Sequence, residues 1–223
     1  WLELLLANKR SHVKLESAHQ MSGGVERVTD ILKLFPYELT NAQKRVVAEI
    51  FSDLGKPHPM HRLVQGDVGS GKTVVALLAC AYAIRNGFQS AIMVPTEILA
   101  EQHFNNATKL LEKTGIRISL LTGSQTAKEK REVTQRLKNG EIDLIIGTHA
   151  LIQEGVDFKN LGFVVVDEQH RFGVHQRQEL KQKGFLPHFL LMTATPIPRT
   201  LAMTVYGDLD VSAIDEMPPG RTP

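Results

Sequence analysis

Eight consecutive residues, Gly66-Asp67-Val68-Gly69-Ser70-Gly71-Lys72-Thr73, read G-x-x-x-x-G-K-T, the pattern of a phosphate-binding loop. Glycines let the backbone turn tightly and bring its N–H groups onto phosphate oxygens, and the N-terminus of a following helix adds positive potential. Lys72 has the reach and charge for the outer phosphates of a triphosphate, and the Thr73 hydroxyl suits a magnesium ion. Further along, the apolar run Phe163-Val164-Val165-Val166 ends in Asp167-Glu168-Gln169-His170. An acidic pair at a strand end complements such a loop: Asp167 can hold the magnesium shell, and Glu168 can orient and deprotonate a water in line with the γ-phosphate. A glycine-rich turn or an acidic turn can each occur without a ligand, but their occurrence together in one chain points to nucleotide chemistry.

Other polar groups fall where strands are expected to end. Phe189 to Met192 runs into Thr193-Ala194-Thr195 and then Pro196-Ile197-Pro198-Arg199; hydroxyls beside an acid–magnesium centre could sense the γ-phosphate, and they could equally cap a helix over Arg199 to Tyr206. Pro95-Thr96-Glu97, Thr122-Gly123-Ser124 and Gly147-Thr148-His149 are three further turns. Each alone is a helix cap; three on one rim suit the phosphates of a nucleic-acid backbone. Gln43, three residues after Thr40, could pair with adenine N6 and N7, although taken alone it is better read as a surface glutamine. His12, His19, His58 and His188 lack metal-ligand spacing and read as surface residues, whereas His103 and His175 lie in helical stretches and suit either environment.

The elements needed to position these groups are legible as an alternation. A short amphipathic helix is expected over Val25 to Leu34, with Val25, Val28, Ile31 and Leu32 on one face, and a second helix capped by Thr40 and running to about Leu54. Strands are expected at His61–Gln65, Ser90–Val94, Arg117–Leu121, Asp143–Ile146, Phe163–Val166 and, as the last clear one, Phe189–Met192. Helices are expected between them, at Val74–Ile84, Glu97–Glu112, Lys128–Lys138 and near His175–Lys183. Short strands alternating with helices imply βαβ units, and runs such as Leu144-Ile145-Ile146 require a sheet covered on both faces. The expected fold is α/β: a three-layer αβα sandwich around a mostly parallel sheet, with ligands at the carboxyl ends of the strands.

The chain has 223 residues, 42% of them hydrophobic, and a formal charge of +2. That length suits one large domain with a substantial core. The balanced charge neither demands nor excludes nucleic acid. A single cysteine, Cys80, reads as a packed core thiol and fits a reducing cytoplasm. No stretch reaches the roughly 18 apolar residues of a membrane span. Because the first residue is Trp and the last seven, Met217 to Pro223, read as a linker, the chain is expected to be a piece of a longer protein. Its expected divisions are an extension at 1–34, a nucleotide-binding domain at 35–216 and the start of a linker at 217–223.

Taken in order, Gln65 to Thr73, Pro95-Thr96-Glu97, Gly147 to Leu151, Asp167 to Val174 and Met192 to Thr200 resemble the motifs of superfamily 2 DNA helicases, in particular the fork-remodelling branch. The resemblance runs from about residue 34 to the end of the chain. It implies a RecA-like, P-loop NTPase first motor domain using ATP and Mg²⁺. In it, Gln43 with the Phe35-Pro36 region would sit at the adenine, Gly66 to Thr73 on the phosphates, and Asp167 and Glu168 at the magnesium and the water. It further implies that Gln169, His170, Thr193 and Thr195 couple nucleotide to DNA, and that Pro95, Thr96, Gly123 and Thr148 lie on the DNA backbone. The implied partners are forked or branched double-stranded DNA, together with a second RecA-like domain and a wedge domain of the same parent chain. The transcription-repair coupling translocases are the nearest alternative; they carry a second Glu where this chain has Gln169. A stand-alone nucleotide-dependent binding module and a phosphate-loop kinase are the other readings. The kinase would need an acceptor pocket and a basic lid, and neither is located in the sequence.

Overall fold

The structure, a computed structural model, describes residues 18–35, 37–167, 186–195 and 209–218. Its centre is a parallel sheet of seven strands: β1 (His61–Gly66), β2 (Gln89–Met93), β3 (Ile118–Leu121), β4 (Leu144–Gly147), β5 (Leu161–Val166), β6 (His188–Thr193) and β7 (Asp210–Ile214), in the spatial order β3-β4-β2-β5-β6-β1-β7. The helices among the described residues are the single turn α1 (Thr29–Leu32), then α2 (Asn41–Leu54), α3 (Lys72–Arg85), α4 (Glu97–Leu111) and α5 (Ala127–Asn139).

Successive side chains on the central strands enter opposite cores, as the pleat dictates. Val64, Ile92, Val165 and Met192 join the apolar layer under α2, α3 and α4. Their neighbours Leu63, Ala91, Met93, Val164, Val166 and Leu191 join the layer on the other face, closed by Leu137, Leu151, Val156 and Phe158. Both faces are therefore dry, which explains the uninterrupted apolar runs of β4, β5 and β6. Helix α3 is apolar nearly all round, buried from Val74 to Ala83, because it lies between the sheet and α2. There Tyr82 stacks on Phe51 with ring centroids 4.1 Å apart. The Cys80 thiol sits in this layer, and burial pushes its pKa far above the ordinary value.

The three-layer parallel α/β architecture agrees with the sequence, but four readings are corrected. The stretch Val25 to Leu34 is not one helix: a 3₁₀ turn at Val25–Val28 gives way to the short α1, since Gly24 supplies no side-chain cap and, of this polar sequence, Val28 and Ile31 are fully buried while Leu32 is only partly so. Phe189–Met192 is not the last strand: β7 pairs along β1 from Arg62↔Asp210 to Gly66↔Ile214, an edge whose mixed residues, Asp-Val-Ser-Ala-Ile, have only one neighbour to satisfy. Gln43 and His188 are not surface residues; both are fully buried. His19 is exposed and His58 half-buried, while His12, His175 and the expected helices near His175–Lys183 and Arg199–Tyr206 lie outside the described residues. Among the described residues no helix is long and apolar enough to cross a membrane.

The segment before α2 is fastened to the sheet domain. Met21 N–H donates to Leu54 O at 2.9 Å, Tyr82 Oη to Gly23 O at 2.6 Å and Arg27 Nη1 to Arg85 O at 3.0 Å. His188 completes this attachment. Its Nδ1 accepts the Met60 N–H at 3.0 Å and its Nε2 lies 2.9 Å from His19 O, an arrangement that fits the neutral ring with its proton on Nε2. Burial lowers its pKa from 6.5 to about 4. The folded state therefore resists a proton that the unfolded chain accepts, so stability is full above pH 6.5 and falls as the pH drops from 6.5 towards 4, by about 3 kcal/mol. Urea unfolding of the chain across this window should show that loss, and His188→Gln should flatten it; equal slopes in both proteins would remove His188 as the cause.

Candidate nucleotide-binding site

Because every strand of the sheet runs the same way, the ends of β1, β2, β4, β5 and β6 open onto one rim. At the centre of that rim the chain leaves β1 and turns through Gly69 (φ 88°) and Gly71 (φ 84°) into α3. A left-handed backbone is the province of glycine, and at Gly71 there is a second constraint: a Cβ there would lie 2.2 Å from Gln43 Nε2. Gln43 belongs to the first turn of α2. Its Oε1 accepts the Thr40 N–H at 3.0 Å while its own N–H donates to Thr40 Oγ1, a capping box, and its Nε2 donates to Ser70 O at 2.8 Å. One buried amide thus closes the N-terminus of α2 and braces the phosphate loop from behind. In this conformation both its ends are spent on protein.

Lys72 Nζ lies over the loop, donating to Gly66 O at 2.6 Å and Asp67 O at 2.9 Å. Ser70 Oγ is buried without a hydrogen-bond partner, and α3 opens with Gly71, which offers no side-chain cap. An unpaired buried hydroxyl, a lysine and the open donors of a helix N-terminus form a donor set that an anionic oxygen would satisfy. Thr73, half-buried, follows directly.

One strand, β6, separates the loop strand β1 from the acid strand β5, so Lys72 and Asp167 rise from next-but-one strands, roughly 10 Å apart at the sheet. Both line a single cleft of about 470 Å³, with Gly69, Gly71 and Thr73 on one wall, Phe35 and Tyr37 at its aromatic edge, and Leu99, Gln102, His103 and Asn106 of α4 opposite. The Asp167 N–H is tied to Met93 O at 2.9 Å, and its carboxylate Oδ2 lies 3.0 Å from His103 Nε2. Thr193 ends β6 beside Gln65 of β1. Its Oγ1 lies 2.9 Å from Thr195 Oγ1 and accepts the Thr195 N–H at 3.2 Å. Glu168, Gln169 and His170 lie outside the described residues, as does Pro36. No cluster of three or more His, Cys, Asp or Glu ligands occurs among the described residues; a magnesium ion shared between a hydroxyl, one carboxylate and substrate phosphates does not need one.

The other rim residues separate into two kinds. Pro95, Thr96 and Gly123 are exposed. Thr96 Oγ1 caps α4 by accepting the Leu99 N–H at 3.3 Å, and Glu97 Oε1 accepts the Ser124 N–H at 2.9 Å, bridging the turn after β2 to the turn after β3. These contacts with Ser124 and Gly123 hold the Glu97 carboxyl below its usual pKa. Thr148, in contrast, is buried, with its hydroxyl unpartnered. Sequence reasoning left His103 undecided and missed Tyr37; the available signal was the stripe Leu99-Gln102-His103-Asn106-Leu110 at helical spacing, whose polar members look wasted on a core.

The DEAD/DEAH box helicase family model matches residues 40–204. The ATP-dependent DNA helicase RecG of Aquifex aeolicus is 51% identical over 98% of this chain, which spans 28% of that protein; RecG of Bacillus subtilis is 57% identical over 88% of this chain and 29% of its own length. A solved structure of RecG bound to a three-way DNA junction superposes with a TM-score of 0.87 at 48% identity, covering 99% of this chain and 30% of that one. The chain thus spans less than a third of these relatives. A more distant likeness, the DEAD-box helicase Mss116 bound to ssRNA and UDP-BeF (TM-score 0.65, 16% identity), shares the fold.

The brace behind the loop has a measurable weight. Gln43→Ala leaves the Thr40 N–H and the Ser70 carbonyl without their buried partner, and each group so stranded costs about 1–3 kcal/mol. Denaturant unfolding should register a loss of that order. A variant as stable as the wild type would show that the two bonds merely replace equivalent ones to water.

Proposed function

Since the chain belongs to the DEAD/DEAH box helicase family, we propose that it is the ATP-binding first motor domain of a DNA helicase that remodels stalled forks and recombination junctions. The observation that carries this reading is that Lys72, Thr73 and Asp167 line one cleft. The backbone of Gly66 to Gly71 and the α3 N-terminus grip the β- and γ-phosphates, and Lys72 leaves its two carbonyl partners for phosphate oxygens. Thr73 and Asp167 would hold Mg²⁺, which would offset phosphate charge. Glu168 takes a proton from the attacking water. Phe35 and Tyr37 offer aromatic surface to the base, with Gln43 released from one of its two present bonds to meet the adenine edge.

Thr193 and Thr195, together with Gln169 and His170, report the state of the γ-phosphate to the DNA. Pro95, Thr96, Gly123 and Thr148 take the DNA backbone through N–H and hydroxyl groups, which position without reading sequence. The similarity to RecG, one relative of which is held on a three-way junction, supports branched double-stranded DNA as the substrate. On this reading the motor is cytoplasmic and works with a second RecA-like domain and a wedge domain of its parent protein. An arginine supplied from outside the phosphate loop's own domain is worth roughly 10³–10⁵ in turnover in related enzymes, so this chain alone binds ATP–Mg²⁺, turns it over very slowly and unwinds nothing.

The test is titration of a fluorescent ATP analogue into the chain. Wild type should bind in a magnesium-dependent manner, and Lys72→Ala should weaken that binding at least tenfold, about 1.4 kcal/mol of phosphate interaction. Equal affinities for the two proteins would end the nucleotide reading. Unwinding of forked DNA by the chain by itself would refute the need for a second motor domain.

A further inference from the structure

Helix α4 begins at the exposed turn Pro95-Thr96 and ends by packing on β3 and β4. Between those points its stripe Leu99, Gln102, His103 and Asn106 faces the nucleotide cleft. A helix that only covered the sheet would turn apolar residues inward, as α4 does with Ala100, Ala107 and Leu111. His103 does something else: about nine-tenths of its side chain is buried, yet it spends that burial on a single carboxylate, Asp167 Oδ2, at 3.0 Å. A carboxylate only accepts, so the ring nitrogen this close to it is the one that carries hydrogen.

We infer that His103 is a positioning residue for Asp167: it fixes the plane of the carboxylate at the tip of β5 so that the acid meets magnesium–nucleotide without first being ordered. The inference rests on the nucleotide reading above. Asp167 is held at its backbone, where its N–H meets Met93 O at 2.9 Å, and its side chain lies 3.0 Å from His103. The backbone bond fixes only the position of the main chain. The side chain still has two torsions, and the imidazole, itself held on a helix rather than a loop, restricts them from its side. Groups that orient a ligating carboxylate in this way typically change metal affinity 10–100-fold when removed. The same helix carries Thr96 two turns upstream, roughly 10 Å along its axis, so the exposed rim and the acid are joined by one rigid element.

The experiment measures dissociation constants of a fluorescent ATP analogue with saturating Mg²⁺ and again in EDTA, for wild type, His103→Ala, His103→Gln and His103→Asn. Gln can place an N–H close to where Nε2 stands; Asn falls one bond short. Expected is a fall of about tenfold, for Ala and Asn, in the ratio of the dissociation constant in EDTA to that in Mg²⁺, with the ratio for Gln within about threefold of wild type. Equal weakening in both conditions overturns the inference, since a packing defect does not distinguish them. Tighter binding of the magnesium complex by the Ala variant overturns it too, because His103 would then be a rival of the metal. Should the Ala variant fail to fold, the Gln–Asn pair decides, and indistinguishable values for the two sink the role. Loss of binding by wild type itself refutes the nucleotide reading and this role together; normal wild-type binding with no response to His103→Ala refutes this role alone.

Discussion

Parallel strands impose a direction. Each must be followed by a crossover that returns the chain to the starting edge of the sheet, so every strand in this domain delivers its last residue to the same rim. The remaining features depend on that constraint. It forces helices onto both faces, which leaves β4, β5 and β6 buried along their whole length and apolar at their centres. It also gathers Gly66, Asp167, Thr193 and the turns after β2, β3 and β4 into one row, although they are scattered along the chain. The site is therefore assembled by topology first and by side-chain chemistry second.

Within that row the polar groups are organised by shared supports. Gln43 closes α2 and steadies the phosphate loop with one amide. Glu97 ties two turns of the rim together, and His103 meets the acid at the end of β5. Away from the rim, Arg62 of β1 donates to Asp53 Oδ2 at 2.6 Å, to Glu49 Oε2 at 3.0 Å and to Ser212 Oγ at 2.6 Å. A guanidinium buried in this position persists because its donors are matched by acceptors from α2 and β7. The base of β1 is thus pinned to the helix that carries Gln43, while its tip feeds the loop that Gln43 supports.

Much of this was legible before any coordinates. The phosphate loop, the acid at the end of β5, the capping Thr40 and the order of strands and helices are local signals, written in contiguous residues. What the sequence concealed is long-range. Gln43 reads as exposed because glutamine usually is; only its position behind Gly71 explains its burial. His188 stands at the head of an apolar strand, but its acceptor role depends on Met60, far away in the chain. β7 lacks an apolar run because it lies on an edge of the sheet, and a short amphipathic segment such as Val25 to Leu34, without a side-chain cap at Gly24, divides into a 3₁₀ turn and a single helical turn. The pairing of His103 with Asp167 joins residues from separate βα units, and no local pattern announces it.

The strand that carries the phosphate loop is flanked on both sides, by β6 from His61↔Phe189 to Gln65↔Thr193 and by β7 from Arg62↔Asp210 to Gly66↔Ile214. Its amides are therefore protected by two ladders and by apolar layers above and below. Local opening concentrates where such protection is lacking, so solvent deuterons should reach β1 only through the rarest, near-global excursions. Gly66 is the last residue of that protected stretch and Val68, with 82% of its surface open, is already outside it. Within two residues the backbone passes from a strand paired on both sides to a turn whose outer side meets solvent, so the loop's supports are the local ones from Gln43 and Lys72, and a change in the loop need not disturb the sheet.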